Sequence, residues 1–305
     1  MASQRDVKNR IASVKNIQKI TRAMEMVAAA RERRAEQRIA ALRPYAEAIR
    51  RMTRQAARAA GAAEASSLPL LSKHEQESKV GLLLVTGDRG LAGGFNSQIV
   101  RTGLRAGTAV QEAGRTPVWY AAGRRGASSL TFRGRELSGA YVGFTDRPAY
   151  ADAHTIAEDL TSAYAAGELD RVEILFNAYV SPLTQTVTHE TLLPLADATL
   201  TGEGSDGEGD GERKGSEPAR PLVEYEPDPK AILQQLIPDY IEVSIYRALL
   251  ESSAGFFGAQ MTAMRNASEN AGTLIDDYTL QMNRARQAEI TQEIMEVVAG
   301  AEGLS

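Results

Sequence analysis

The sequence predicts an α/β central domain, three-layered and Rossmann-like, carrying a long antiparallel two-helix coiled coil formed by the N- and C-terminal segments. Three observations lead there. Residues 5–60 contain no glycine and only one proline, Pro44. The stretch from Lys230 to about Ala299 again reads as helix, and residues 79–200 between the two alternate short apolar runs with amphipathic stretches. Strand and helix alternation of that kind builds a sheet covered on both faces.

The first element, residues 1–60, is rich in Ala, Arg, Lys, Glu, Gln and Met, all good helix formers. Apolar residues recur at Val7, Ile11, Val14, Ile17, Ile20, Met24 and Val27, then at Ile39, Leu42, Ala46, Ile49 and Met52. Steps of three and four define one helical face. Some fifty residues at ~1.5 Å each make a rod on the order of 80 Å, longer than a domain of this size is wide. The stripe is narrow and rich in small residues (Ala23, Ala28, Ala29, Ala30), which suits close packing on a single partner helix. Pro44 predicts a bend.

After a linker over 61–78, the domain over 79–200 is expected to place strands at Lys79–Thr86, Pro117–Ala122 and Arg171–Tyr179. Helices are expected at Phe95–Gln111 and Tyr150–Ala166, with an edge strand within Ser181–Leu195. Residues 201–221 are acidic and glycine-rich and have too little apolar surface to bury, so a disordered surface insertion is expected there. Residues 222–305 form a foot and the second rod helix. Its apolar positions are Ile241, Ile245, Leu249, Phe256, Ala263, Ala267, Leu274, Tyr278, Met282, Ile290, Ile294 and Val297, with a phase slip at Leu274 and a break or kink at Pro238. Two stripes too narrow to stand alone are most economically covered by each other. Residues 5–58 then pair with 240–298, with Val14, Ile17 and Met24 facing the last third of the second helix and Met24 close to Gln287.

The chain has 305 residues and a formal net charge of −4, yet residues 1–60 hold fifteen Lys and Arg against five Asp and Glu. One end therefore meets something acidic: nucleic acid, an anionic surface or an acidic protein. Nucleic acid is disfavoured, because aromatic residues do not interleave with the basic ones as a single-strand groove requires. The absence of cysteine excludes disulfides and thiolate metal sites, and the three isolated histidines show no ligand spacing, so no metal is expected. No apolar run approaches the ~18 residues of a membrane span. The glycine-rich turn Gly87–Asn96 is the one candidate phosphate cradle, but it has Gly94-Phe95 where a P-loop needs Lys followed by Ser or Thr, and it does not match GxGxxG. It reads as a tight turn between strand and helix. No cofactor and no catalytic triad, carboxylate pair or HExxH motif is indicated.

Four segments carry a resemblance: Ile11–Ala28 (IASVKNIQKITRAMEMVA), Asp88–Asn96 (DRGLAGGFN), Tyr225–Pro229 (YEPDP) and Asn283–Glu293 (NRARQAEITQE). In this order and at this length they resemble the gamma subunit of F-type ATP synthases. The resemblance implies that the paired terminal helices form the central stalk, whose tip turns inside a ring of three alpha and three beta subunits. It also implies that the base sits on the c-ring beside the epsilon subunit, and that the catalytic chemistry belongs to beta, with no catalytic site in this chain. Such a subunit is peripheral to the membrane through its complex, in a bacterium on the cytoplasmic face of the plasma membrane. Carried over residue by residue, the partner contacts are Lys19, Arg22 and Met24 toward an acidic loop of beta, Tyr225 and Glu226 at the foot, and Arg286, Gln287, Thr291 and Glu293 toward the ring. Gln260 departs from the arginine frequent in related sequences, which puts any contact needing that charge in doubt.

Overall fold

A computed structural model describes residues 4–61, 67–74, 76–195 and 228–302. The acidic stretch 201–221 and the foot residues Tyr225 and Glu226 lie outside the described residues. In chain order the elements are α1 (Gln4–Ala60), β1 (Lys79–Val85), α2 (Phe95–Glu112), β2 (Thr116–Ala122), α3 (Arg124–Phe132), β3 (Leu137–Tyr141), α4 (Tyr150–Ala165), β4 (Arg171–Ser181), β5 (Thr184–Leu193) and α5 (Pro229–Glu302). Both long helices run unbroken through their prolines, Pro44 in α1 and Pro238 in α5. The expected break at Pro238 does not occur.

The five strands form one mixed sheet in the order β3-β2-β1-β4-β5, parallel except for the antiparallel edge strand β5. Alternate residues of β1 enter two different cores, as the two-residue side-chain period requires. Val80, Leu82 and Leu84 pack with Ile99 and Val110 of α2 and Leu130 of α3. Leu83 and Val85 pack with Ile156 and Leu160 of α4, with Ile49 and Ala56 of α1, and with Leu233, Ile241, Ile245 and Leu249 of α5. The inner ends of the rod helices therefore belong to the third layer of the domain. The helix α3 and strand β3, absent from the sequence reading, are short and bounded by Gly123, Gly134 and Gly143, each at positive φ.

Outside the domain α1 and α5 run antiparallel. The Gln18 side chain donates to the Ser268 carbonyl (3.3 Å), and Arg265 pairs with Glu25 (2.9 Å). Along α1 the inward positions are Val7, Ile11, Val14, Gln18, Thr21, Glu25, Ala28, Glu32 and Ala35, alternating steps of four and three, the 3.5-residue repeat of a left-handed coiled coil. The facing positions on α5 are Met264, Ser268, Ala271, Ile275, Tyr278, Met282 and Ala285.

This corrects the expected seam in two ways. From residue 17 the seam lies one position later than expected, leaving Ile17, Ile20 and Val27 more than half exposed. Small and short polar side chains let the helices approach closely there: a Cβ added to Gly272 would sit 3.3 Å from the Gln18 amide. Second, Met24 stands level with Arg265, not Gln287. The twenty-two residues between these two along α5 correspond to about 33 Å of helix.

Candidate partner interface

The register that pairs Gln18 with Ser268 brings the start of α1 level with residues near 285, so among the described residues α5 continues alone beyond it. Its seam positions change character there: after Met282 and Ala285 come Glu289, Gln292 and Glu296, and Gln292 bonds to Glu296 (3.0 Å) instead of facing a helix. The apolar stripe moves to Ile290, Ile294, Val297 and Val298, which are 47% to 72% exposed. At ~100° per residue this stripe lies roughly opposite the old seam. Arg286, Gln287, Thr291 and Glu293 share that outer face and are exposed. Among the described residues the side chains of Arg286 and Gln287 have no partner, and the Gln287 carbonyl accepts from Thr291 Oγ1 (2.8 Å). The polar residues of this segment therefore do not interrupt the seam; they lie past its end. Exposed apolar faces flanked by charge are a feature of interaction surfaces.

A second exposed strip runs along α1, one position from the seam. Ile17, Ile20 and Val27 lie there beside the half-buried Met24, whereas Lys19 and Arg22, both exposed, stand on the other flank of the seam, so the structure does not bring Lys19 and Arg22 together with Met24. Those three apolar residues were assigned to the seam. No signal in the sequence places them outward: a 3.5-residue repeat runs equally through Gln18, Thr21 and Glu25, and hydrophobicity favours the apolar phase.

The glycine-rich turn joins this rod to the sheet. Asn96 clamps it, accepting from the Gly87 amide (2.8 Å) and donating to the Arg89 carbonyl (3.0 Å). The Asp88 carboxylate accepts from the backbone amides of Arg124 (2.9 Å), Gly143 (2.9 Å) and Thr145 (3.1 Å) and from Thr145 Oγ1 (2.8 Å). Burial pushes this acid upward, but the donors outweigh it and hold Asp88 below the usual carboxylate range. Gly87 must be glycine, because a Cβ would stand 2.9 Å from the Phe256 ring of α5. Asp146 bridges turn and rod, pairing with Arg89 (3.3 Å) and with Arg31 of α1 (3.4 Å). Deeper in the coil Glu32 is 4% exposed and accepts from the Tyr179 hydroxyl of β4. The turn is therefore a fastening between sheet and coil. Among the described residues no group of acidic or histidine side chains is arranged to hold a metal ion. No described helix is long and apolar enough to cross a membrane.

Comparison with known proteins shows the family of the chain. A family model described as ATP synthase matches residues 3–304. The ATP synthase gamma chain of Rubrobacter xylanophilus is 42% identical over all of this chain and 99% of its own length, and that of Desulforamulus reducens is 41% identical over all of both. Among solved structures, a chain of the central stalk and c-ring of the Tetrahymena thermophila mitochondrial ATP synthase matches with a TM-score of 0.57 at 26% identity, covering 82% of this chain and 99% of that one. A rotor chain of the Euglena gracilis enzyme shares the fold, with a TM-score of 0.63 at 18% identity over 94% and 98% of the two chains. From end to end, this chain belongs to the ATP synthase gamma-chain family.

Proposed function

We propose that this chain is the central-stalk rotor of a proton-translocating F-type ATP synthase. Its unpaired helix tip turns inside an alpha3beta3 ring, while its base rides on a c-ring beside an epsilon subunit. Proton flow through the c-ring then drives ATP synthesis at sites on beta, and this chain supplies no catalytic group. Its association with the membrane is peripheral, through the complex, at the cytoplasmic face of a bacterial plasma membrane. The division into stalk helices, α/β domain, acidic insertion and foot belongs to the same reading. Tyr225 and Glu226 of the foot are assigned to the c-ring.

The single observation that carries this reading is the exposed end of α5, where Arg286, Gln287, Ile290 and Ile294 form a face that no described residue covers. An asymmetric shaft touching three equivalent sites differently gives each a different affinity. By linkage, binding and release at those sites must bias the shaft angle in return. A hydrogen bond to a charged group is worth roughly 1.5 to 3 kcal/mol, so losing one made only at the barrier slows turnover about ten- to a hundredfold. Replacing Arg286 and Gln287 together by Ala is expected to leave the circular dichroism of the chain unchanged. ATP hydrolysis by a reconstituted alpha, beta and gamma complex should fall by that factor, or assembly should fail. Normal assembly with wild-type hydrolysis and coupled synthesis would remove both residues from the interface.

A further inference from the structure

Beside the glycine-rich turn lies a crevice of about 240 Å³ that neither the fastening nor the rotor surfaces use. It sits where the chain reverses its direction across the sheet: β2 and β3 follow on one side of β1, while β4 lies on the other. Crevices outside the carboxyl ends of strands at such a switch point are where open α/β sheets take their ligands. Here α5 and the β4–β5 hairpin close over it through Thr262, Asn266 and Leu183, leaving room for a small group only.

Among its lining residues Gln98, Asn177, Gln185, Thr262 and Asn266 carry polar side chains. The eighteen-residue helix α2 begins at this crevice with Gly94, which provides no side-chain cap; the Phe95 and Gln98 amides already donate to the Ala92 (3.2 Å) and Gly94 (2.9 Å) carbonyls, so the first-turn amides left for an outside acceptor are those of Asn96 and Ser97. The Gln98 amide folds back over Gly94, its nitrogen 3.5 Å from where a Cβ would stand. From the floor comes Asn177 of β4, 1% exposed, whose amide nitrogen has no hydrogen-bond partner. A buried donor left without an acceptor is destabilising, which calls for an acceptor inside the crevice. Gln185 is already committed, donating to the carbonyls of Ser181 and Pro182. No acidic side chain lines the space.

We infer that this crevice binds a small tetrahedral oxyanion of the phosphate class, held by the start of α2, Gln98 and Asn177. The inference is independent of the rotor reading and needs no partner subunit. It concerns an inorganic ion, because neither the fingerprint nor the space for a dinucleotide is present.

The test titrates inorganic phosphate into the isotopically labelled full-length chain at constant ionic strength, following the amide resonances of Gly93, Gly94 and the Asn177 side chain. Saturable shifts at all three are expected, weakened at least about tenfold in Asn177→Leu and abolished in Asn177→Asp, which keeps the shape but adds a repelling charge. If Asn177→Leu does not fold, Gln98→Met on the exposed side of α2 reads the same loss. Chloride producing the same shifts at equal ionic strength would overturn the site. So would an Asn177 resonance that phosphate leaves unmoved, meaning that water alone satisfies it. Saturation by acetate but not phosphate would assign the crevice to carboxylates and overturn the phosphate class.

Discussion

Asp88 shows how one side chain can hold a turn whose own backbone preferences are poor. Leu91 and Gly93, both at positive φ, follow it within five residues, and the four donors converging on its carboxylate tie that stretch to α3 and to the loop after β3. Its pKa is depressed in the folded state, so its contribution to stability is fully present above the unfolded carboxylate value of about 3.9. That contribution is lost as pH falls through the lower folded value. Asp88→Asn brings a donor amide among four donors and should melt lower at neutral pH. Its melting temperature should also fall less steeply than wild type on acidification from about pH 5 to pH 3, and parallel curves in thermal melts would exclude Asp88 as the source. Glu32 and Tyr179 make a second such point, between coil and sheet. Tyr179→Phe leaves a buried carboxylate short of a donor and should cost about 1 to 3 kcal/mol in urea unfolding. Adding Glu32→Leu should recover most of that, because an apolar pair of similar size is often as stable as a buried polar one.

At the scale of elements, the two long helices were legible because apolar positions return at helical spacing in both and, in α1, glycine is absent over fifty residues. The phase was not. Both Ile17–Ile20–Met24–Val27 and Gln18–Thr21–Glu25–Ala28 satisfy a 3.5-residue step, and hydrophobicity alone selects the first. The structure selects the second, because close approach to Ser268, Ala271 and Gly272 rewards small and hydrogen-bonding side chains. Since the chain has no cysteine of its own, the register can be read directly by crosslinking. Gln18→Cys combined with Ser268→Cys or Gly272→Cys should form an intramolecular disulfide on oxidation. Met24→Cys with Gln287→Cys should not, the sites being about 33 Å apart along the rod. Efficient coupling of the second pair on non-reducing gels would refute the register. The short α3 and β3 escaped the sequence reading because their boundaries are set by three positive-φ glycines, and nine- and five-residue elements show too little periodicity to stand out.

For the whole molecule, rod and domain share a core: Ile49 and Ala56 of α1 and Ile241, Ile245 and Leu249 of α5 pack against the same sheet face as α4. A body built this way transmits twist between its ends, the property a shaft needs. The far end carries none of that core. Deleting residues 286–305 should leave the urea unfolding midpoint of the isolated chain unchanged within error, because the described side chains removed are exposed. The same deletion should lower hydrolysis by the reconstituted complex. A drop in the midpoint would mean that the tip folds back onto the body.

The sequence by itself determined that there are two rod helices around an α/β domain, because helix propensity, apolar periodicity and glycine placement are local properties of the chain. It also led to the family, through motifs whose order and length are specific. Tertiary structure alone decided which face of each helix is inside, where pairing stops, and that the rod's inner ends complete the sheet's third layer. It likewise revealed the unpartnered amide of Asn177 at the switch point. Each of these depends on what a side chain meets from a segment tens to hundreds of residues away, and no local pattern carries that information.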